Sequence, residues 1–400
     1  MNEKDIKDIL KRGKPWPEGT TLWGVANLGA WYTEREVEAV VSSIRDSMDW
    51  LTGFGPNPKE IEEFENAFAA YIGCQYAVAL NSCGTGLDIS VMSLNLEPGD
   101  EIICPAVNYK AAHLSIIGFG GKVVFCDIDP TTLNADPEDI ERRITPKTRA
   151  IMPVHMNGLP ADIDSIMDVA ERHPHPKHGP LKVIFDAARC CGASYKDSKI
   201  GDKGWMSVFS FQTQKFITTL GEGGMLTTND PQIIEKVREL RHFGGEDGWG
   251  SNYKMTKVQA AVGLVQLERL DEMNARRKEV ARYRTELLKD SSDLILPAEP
   301  PGYEHLYYLY SMLTPKGDQL RDKLMEALAQ KYGIMCSVTN PPTYQRWSYI
   351  RQMCGDPKLP VSDDVGARLI CLPIHPLMST EMNEYVCAAL LNEYHALRRL

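Results

Sequence analysis

The 400-residue chain lacks the features that would direct it to a membrane or to nucleic acid. No apolar run approaches the ~20 residues that a membrane helix needs. Residues 1–14 alternate in charge and contain no apolar core of a signal peptide. Acidic side chains outnumber lysine and arginine, 54 to 44, and this excess disfavours broad binding to polyanions. We therefore expect a cytoplasmic protein without nucleic-acid or membrane partners, in which any anionic ligand is held by a local site.

The ten cysteines form no recognisable metal or redox motif. No two of them have CxxC spacing, and none is spaced with histidine as in zinc sites, so no metal is expected. We interpret them as buried, reduced thiols. Internal repeats and low-complexity tracts are also missing from the sequence.

What the sequence does contain is an alternation of short apolar runs with helical patterns. Seven runs rich in β-branched residues predict strands, and they cover residues 76–81, 100–106, 122–128, 149–156, 182–188, 205–211 and 223–229. Continuous apolar strands that alternate with helices are typical of a buried, mostly parallel sheet with helices on both faces. The fold class is therefore α/β, and ligands are expected at the carboxyl ends of the strands.

The length of the chain predicts more than one domain. We expect a polar N-terminal arm over residues 1–30, a large α/β domain over residues 31–270 and a smaller C-terminal α+β domain over residues 271–400. A single long helix, predicted over residues 257–288, would link the two domains.

Two charged side chains follow apolar strands that are close in sequence. Asp186 ends the apolar strand KVIFD, and Lys215 comes five residues after Ser210, which ends another predicted strand. A carboxylate at the end of a buried strand is costly unless a cation meets it, so the two side chains could face one pocket. The competing interpretations are a helix-capping role for Asp186 and a solvated surface position for Lys215.

A third segment, NSCGTGLD, joins a strand to a helix through Gly84 and Thr85. Free amides at a helix start attract phosphate, although such a turn is also common as a purely structural element. Together the three segments fit pyridoxal 5'-phosphate (PLP), which needs a lysine to form an imine, a carboxylate for its ring nitrogen and a cup for its phosphate.

With these segments in place, the chain resembles the DegT/DnrJ/EryC1/StrS family of sugar and aminocyclitol aminotransferases, which have the fold of type I PLP-dependent transferases. The similarity extends over about residues 30–390, and it is carried by the order and spacing of these stretches: EIEEFENAFAAYIGC, NSCGTGLD, PGDEIICPAVNY, FDAARCCGA, SFQTQK, GEGG, SNYKMTKVQAAVGLVQLERLD and CLPIHPLMS.

The resemblance implies a role for each matching residue. Lys215 would carry PLP, and Asp186 would pair with the ring nitrogen. Gly84, Thr85 and Ser210 would bind the phosphate, while Tyr109 would stack on the ring. Asn252 would reach the phosphate of a neighbouring subunit, which implies a homodimer with shared active sites.

Two positions depart from the family pattern. Arg189 stands where the family usually has glutamine or histidine, and its guanidinium could either stabilise the cofactor's phenolic oxygen or hold a substrate carboxylate. Cys83 replaces a serine that is common in the phosphate turn, where backbone amides can still bind the ligand.

The implied reaction is transfer of an amino group from glutamate or glutamine to a keto-sugar or keto-cyclitol. The segments SFQTQK, IMPVHMNGL and PWPEG resemble the aminocyclitol and aminohydroxybenzoate branch more closely than typical nucleotide-sugar enzymes. The C-terminal segments NPPTYQRW and CLPIHPL are expected to border the acceptor pocket, and their aromatic residues and Arg346 could serve either the ligand or the fold. Two alternatives remain at this point: a PLP-dependent dehydrating and aromatising enzyme of the aminohydroxybenzoate synthase type, and a catalytically silent protein of the same fold.

Overall fold

Helices and short strands alternate along most of the chain. The structure, a computed structural model, describes residues 1–399 apart from residues 52, 54, 56, 57, 247, 292 and 316–319. The helices are α1 (Glu3–Lys11), α2 (Glu34–Arg45), α3 (Lys59–Ile72), α4 (Cys83–Ser93), α5 (Lys110–Gly118), α6 (Pro137–Arg143), α7 (Ile163–Arg172), α8 (Ile233–Arg241), α9 (Lys257–Glu268), α10 (Leu270–Leu288), α11 (Leu320–Tyr332), α12 (Thr343–Arg346), α13 (Ser348–Cys354), α14 (Pro360–Arg368) and α15 (Thr380–Arg398).

The strands are β1 (Leu22–Trp23), β2 (Tyr76–Leu80), β3 (Glu101–Pro105), β4 (Lys122–Cys126), β5 (Thr148–Ile151), β6 (Lys182–Asp186), β7 (Ser194–Tyr195), β8 (Ser198–Lys199), β9 (Met206–Ser210), β10 (Gly224–Thr228), β11 (Tyr310–Leu313), β12 (Ile334–Met335) and β13 (Leu369–Leu372). Each of the seven runs that the sequence predicts as strands of the main sheet overlaps one of these strands.

The central sheet has seven strands in the order β2-β10-β9-β6-β5-β3-β4. Strand β10 is antiparallel to both of its neighbours, and the other neighbouring pairs are parallel. The prediction of a mostly parallel seven-stranded sheet is therefore confirmed. Because β2, β3, β6 and β9 run in one direction, the residues that follow them collect at a single edge of the sheet.

Apolar side chains cover both faces of this sheet, as the alternation of side chains along a strand requires. In β2, Ala77 and Ala79 belong to a core that contains Phe64 and Phe68 of α3. Their neighbours Val78 and Leu80 face the opposite core, to which α4 and α5 contribute. Burial on both faces explains why the strands read as continuous apolar runs.

A third core lies in the C-terminal part of the chain, where β11 pairs antiparallel with β13 beside α11 and α15. The N-terminal segment contributes to it. Trp16 packs edge-on against Tyr385 at 5.1 Å between ring centroids, and Ile6 of α1 is buried in the same core. Strand β1 also pairs with β12. The sequence predicts no helix within residues 1–30, so α1 and its packing against the C-terminal core were not predicted.

The prediction of a single helix over residues 257–288 is wrong in one respect, because the helix is interrupted at Arg269, between α9 and α10. Arg269 has φ −105° and ψ 0°, outside a regular helix. Its buried guanidinium is within hydrogen-bonding range of Glu36 at 2.5 Å and of the Trp31 carbonyl at 3.4 Å. These contacts with the residues around α2 favour the interruption of the helix at Arg269. No glycine or proline at this position indicates the interruption in the sequence.

We propose the predicted divisions at residues 30 and 270 as domain boundaries, with the arm associated with the C-terminal domain. The helix break at Arg269 and the separate C-terminal core support this division. Within the described residues, none of the helices combines the length and the apolar character needed to cross a bilayer.

Candidate active site

A cavity of about 430 Å³ opens at the edge of the sheet where the parallel strands end. It is bounded by the turn after β2, the ends of β6 and β9, the start of α5 and a segment from the C-terminal domain. Six of the residues singled out in the sequence line it, namely Gly84, Tyr109, Asp186, Arg189, Ser210 and Lys215. The position is the one at which sheets of this class bind ligands.

Asp186 is the last residue of β6 and is almost completely buried. Burial raises the pKa of its carboxyl group, whereas the Ala188 amide and the cations Arg189 and Lys215 oppose that rise. The amide of Ala188 donates to the Asp186 carboxylate at 3.0 Å. A buried carboxylate of this kind is well placed to meet a cationic partner such as a pyridinium nitrogen.

The turn after β2 forms an open cup at the start of α4. Ser82 caps this helix by accepting a hydrogen bond from the Thr85 amide at 3.1 Å, and its hydroxyl lies 2.9 Å from that of Thr85. Since the first amides of a helix lack intrahelical acceptors, those of Cys83 and Gly84, which line the cavity, are suited to an anion. A Cβ atom on Gly84 would contact only the Ser82 hydroxyl, at 3.7 Å, so the cup is not filled by protein.

Strand β10 passes directly behind this cup. A Cβ atom added to Gly224 would lie 2.6 Å from the amide nitrogen of Cys83, too close for any side chain. The GEGG segment therefore brings the chain after Lys215 against the phosphate-binding turn, and this contact explains the glycine at position 224.

Lys215 meets a side chain that the sequence did not single out. Its Nζ donates to the hydroxyl of Tyr308 at 3.3 Å and lies 4.6 Å from the centroid of the Tyr308 ring. Tyr308 is buried and packs against Phe216, with 5.6 Å between ring centroids. Burial acts to raise the pKa of Tyr308, but the nearby cations, Lys215 first and then Arg189, outweigh it and lower the pKa overall.

Arg189 is fixed by the C-terminal domain. Its guanidinium donates to the side-chain oxygen of Asn340 at 2.8 Å and lies 3.9 Å from the sulfur of Met156. The cation is thus held at the cavity wall, three residues after Asp186. Whether it serves the cofactor or a substrate carboxylate stays a prediction.

Tyr109, which lines the cavity, belongs to a group of aromatic and cationic side chains. Tyr109, half exposed, makes an edge-on contact with Trp347 at 6.5 Å between centroids. The ammonium of Lys110 and the guanidinium of Arg346 lie 5.8 and 5.1 Å from the centroid of the Trp347 ring. We call these four residues the aromatic–cationic rim.

Two predicted site residues do not line the cavity of their own chain. Thr85 lies behind the cup, where its hydroxyl donates to the Asn81 side chain at 2.7 Å. Asn252 is exposed on the segment after α8. The sequence missed Tyr308, because it lies in a segment whose pattern indicates no ligand. Asn340 and Trp347 belong to NPPTYQRW, a segment expected to border the acceptor pocket. In the structure Asn340 accepts a hydrogen bond from Arg189 at the cavity wall, and Trp347 contacts Tyr109.

The donor set of the cavity fits PLP: an amine, a buried carboxylate, a helix start and an aromatic ring surround one space. Lys215 would hold the aldehyde carbon, Asp186 the ring nitrogen, and the amides of Cys83 and Gly84 with the Ser210 hydroxyl the phosphate.

Most of the chain matches one family of known proteins. The model of the DegT/DnrJ/EryC1/StrS aminotransferase family matches residues 32–391. Among curated proteins, the chain is 37% identical to GDP-perosamine synthase of Caulobacter vibrioides, over 85% of this chain and 91% of that protein. It is 34% identical to the spore coat polysaccharide biosynthesis protein SpsC of Bacillus subtilis, over 87% and 91% of the two chains.

A solved structure gives the same result for the fold. The aminotransferase TlmJ from Streptoalloteichus hindustanus superposes with a TM-score of 0.84 and 27% sequence identity. The superposition covers 94% of this chain and all of that one.

Proposed function

Because this chain belongs to the DegT/DnrJ/EryC1/StrS aminotransferase family and is a PLP-dependent enzyme, we propose that it aminates the ketone of a nucleotide-linked sugar. Glutamate or glutamine is the proposed amino donor. The observation that carries the proposal is that Lys215, Asp186 and Tyr109 of the aromatic–cationic rim line one cavity. A cytoplasmic location remains a prediction from the sequence.

The proposed roles follow from the chemistry of each side chain. PLP, when bound, supplies an electron sink for the carbon that exchanges its amino group. Lys215 would bind the cofactor through Nζ and, when that nitrogen is free, would move the proton at the reacting carbon. Asp186 keeps the ring nitrogen protonated, because a buried carboxylate is stabilised by a positive partner. The amides of Cys83 and Gly84 orient the phosphate.

The aromatic–cationic rim supports a nucleotide-linked acceptor over a free cyclitol. Trp347 and Tyr109 offer faces on which a base can stack. Lys110 and Arg346 place two cations beside Trp347, where a diphosphate would need them on a chain of net charge -10. A free cyclitol presents neither a base nor a phosphate, so it would leave this rim unused. The names of the curated relatives, one of which makes a GDP-linked amino sugar, agree with this choice.

We further propose that the active unit is a homodimer in which Asn252 completes the site of the partner. Asn252 is exposed and does not line the cavity of its own chain. Large apolar side chains are exposed elsewhere on the chain, including Ile44, Met48 and Phe243 at 53%, 78% and 60%. Apolar surface of this kind is typical of a protein interface.

The decisive experiment combines cofactor mapping with half-reactions. Borohydride reduction of the purified holoenzyme should fix PLP on Lys215, as read by peptide mass spectrometry. In a separate sample of unreduced holoenzyme, glutamate or glutamine should bleach the visible absorbance band as the amino group moves to the cofactor. Lys215→Ala should lose the band, whereas Lys203→Ala, a change at a largely exposed lysine, should keep it. If neither glutamate, glutamine nor alanine bleaches the band, the aminotransferase proposal gives way to the dehydratase alternative.

The acceptor is tested on the aminated enzyme with two kinds of ketone. We expect a nucleoside-diphosphate keto-sugar to restore the original band far faster than a keto-cyclitol. Trp347→Ala should weaken that preference, and Tyr349→Ala, which removes an exposed aromatic side chain from the same region, should not. Equal rates with the cyclitol would overturn the choice of acceptor without affecting the transaminase proposal.

A further inference from the structure

The contact between Lys215 and Tyr308 joins two distant parts of the chain at the reacting nitrogen. Tyr308 comes from the segment that leads into the C-terminal domain, 93 residues after Lys215. From the contact we propose that Tyr308 is a positioning residue, which fixes the Nζ of Lys215 and stabilises its protonated form through the phenolic oxygen. This inference rests on the proposed function, since it requires Lys215 to be the residue that holds PLP.

The position of Tyr308 is determined by the backbone on one side and by aromatic packing on the other. The Leu306 amide donates to the Gly158 carbonyl at 2.8 Å, and the Leu309 amide to that of Asn157 at 3.3 Å. The ring of Tyr308 packs against Phe216, which follows Lys215 directly in the chain. The hydroxyl therefore has little freedom to move away from the lysine, and a buried hydrogen bond with a fixed acceptor is stronger than a mobile one.

Charge around the pair supports the same role. The charged or titratable groups that interact with Tyr308 or Lys215 are Cys83, Asp186, Arg189 and Arg277. Arg277, on α10, is buried and lies 5.3 Å from the centroid of the Phe216 ring. Arg189 and Arg277 are cations and cannot accept a hydrogen bond from the Lys215 ammonium, so the phenolic oxygen is the acceptor that meets it, at 3.3 Å.

The test is the pH dependence of the visible band of PLP bound to Lys215. Tyr308→Phe keeps the ring and removes the acceptor, so we expect the pKa of the spectral transition to fall by about one pH unit. The value of kcat should fall about tenfold, while KM for the amino donor changes less than twofold, because the hydroxyl contacts the lysine and not the donor. The matched control is Tyr310→Phe, which removes a hydroxyl that lies 2.9 Å from Thr285 in the C-terminal core.

A second change guards against misfolding of the phenylalanine variant. Replacing Tyr308 with 3-fluorotyrosine keeps the hydroxyl and weakens it as an acceptor, so the transition should move in the same direction by a smaller amount. A transition that is unchanged or raised in both proteins would overturn the role of Tyr308. If wild-type enzyme carries no PLP on Lys215 after borohydride treatment, the proposed function itself fails, and the two failures are thereby distinguished.

Discussion

At the scale of single residues, the site combines groups whose burial is unfavourable without a ligand. Asp186 is buried at the end of β6 with a pKa raised by desolvation, and its partners in the chain offset this only in part. A carboxyl whose pKa is higher in the folded than in the unfolded protein makes folding less favourable as pH rises above its unfolded value of about 3.9. Bound PLP would supply the missing positive partner.

Asp186→Asn should therefore separate stability from activity. The asparagine amide carries no charge that must be buried, so the apo-protein of the variant should melt at an equal or higher temperature at pH 7. The decrease in stability with rising pH that the Asp186 carboxylate causes should be absent from the variant. The amino-transfer half-reaction should slow by about 100-fold or more, because no carboxylate keeps the ring nitrogen protonated. Differential scanning fluorimetry and stopped-flow absorbance measure the two effects.

Asp127→Asn is the contrasting control for this prediction. The Asp127 carboxylate accepts hydrogen bonds from the amides of Val361 and Ser362 at 3.0 and 2.7 Å, so its loss should lower the melting temperature. A large drop in the melting temperature of the Asp186→Asn apo-protein would show that the Asp186 charge serves the fold, contrary to the proposal.

Part of this site can be predicted from the sequence, and the rest cannot because it depends on packing between distant segments. Lys215, Asp186 and the Gly84 turn all follow apolar strands, and strand ends in a parallel sheet meet at one edge. Tyr308 lines the same cavity from the C-terminal domain, and Asn340 of that domain accepts a hydrogen bond from Arg189, so the positions of both depend on packing between domains. No local pattern of residues encodes such packing, so those contacts could not be predicted.

At the scale of secondary-structure elements, the strands were more predictable than the long helix. Strands buried on both faces read as continuous apolar runs whatever their neighbours are. The break between α9 and α10 instead depends on the tertiary contact of Arg269 with Glu36, which the sequence places more than 200 residues apart. Helical periodicity continues through that position, so local pattern alone favours one helix.

The 3-10 turn at residues 156–158 is the element that positions Tyr308. Gly158 has φ +101°, and an added Cβ atom would lie 2.6 Å from the Tyr308 amide nitrogen. Gly158→Ala should therefore lower the free energy of unfolding by about 3 kcal/mol, from backbone strain and steric overlap together. It should also lower the pKa of the PLP–Lys215 spectral transition, because the displaced Tyr308 loses its contact with the lysine.

Gly179→Ala isolates the backbone contribution to this effect. Gly179 also has a positive φ, +74°, but no atom lies within 4 Å of the added Cβ position. We expect a loss of only about 1 kcal/mol in urea unfolding and no change in the spectral transition. Equal losses for the two variants would mean that the contact of Gly158 with the Tyr308 segment contributes nothing.

At the scale of the whole molecule, several large apolar side chains are exposed on the surface of one chain. Trp50 and Leu51 are 88% and 72% exposed, and Leu220, close after Lys215, is 46% exposed. A two-fold dimer would cover the same patch on both subunits and would bring a segment of each chain to the other's cavity. Asn252 is the residue that the family pattern assigns to this exchange.

Mixing two defective variants tests whether Asn252 acts in the partner's site. Lys215→Ala removes the cofactor lysine, and Asn252→Ala weakens phosphate binding, so each homodimer should be inactive at limiting PLP. In a mixed dimer, one site contains Lys215 from one subunit and Asn252 from the other, and the second site contains neither. Random reassortment should therefore restore about a quarter of the wild-type number of sites, measured as the rate of the glutamate half-reaction.

The control for this experiment is a chain that carries both substitutions. Mixing Lys215→Ala with the double variant Lys215→Ala/Asn252→Ala should restore nothing, because no subunit carries the lysine. If Asn252 instead served the site of its own chain, no subunit in the first mixture would contain both intact residues, and mixing would recover no activity. Recovery in the first mixture alone therefore requires a site built from two subunits, since no arrangement within one chain can produce it.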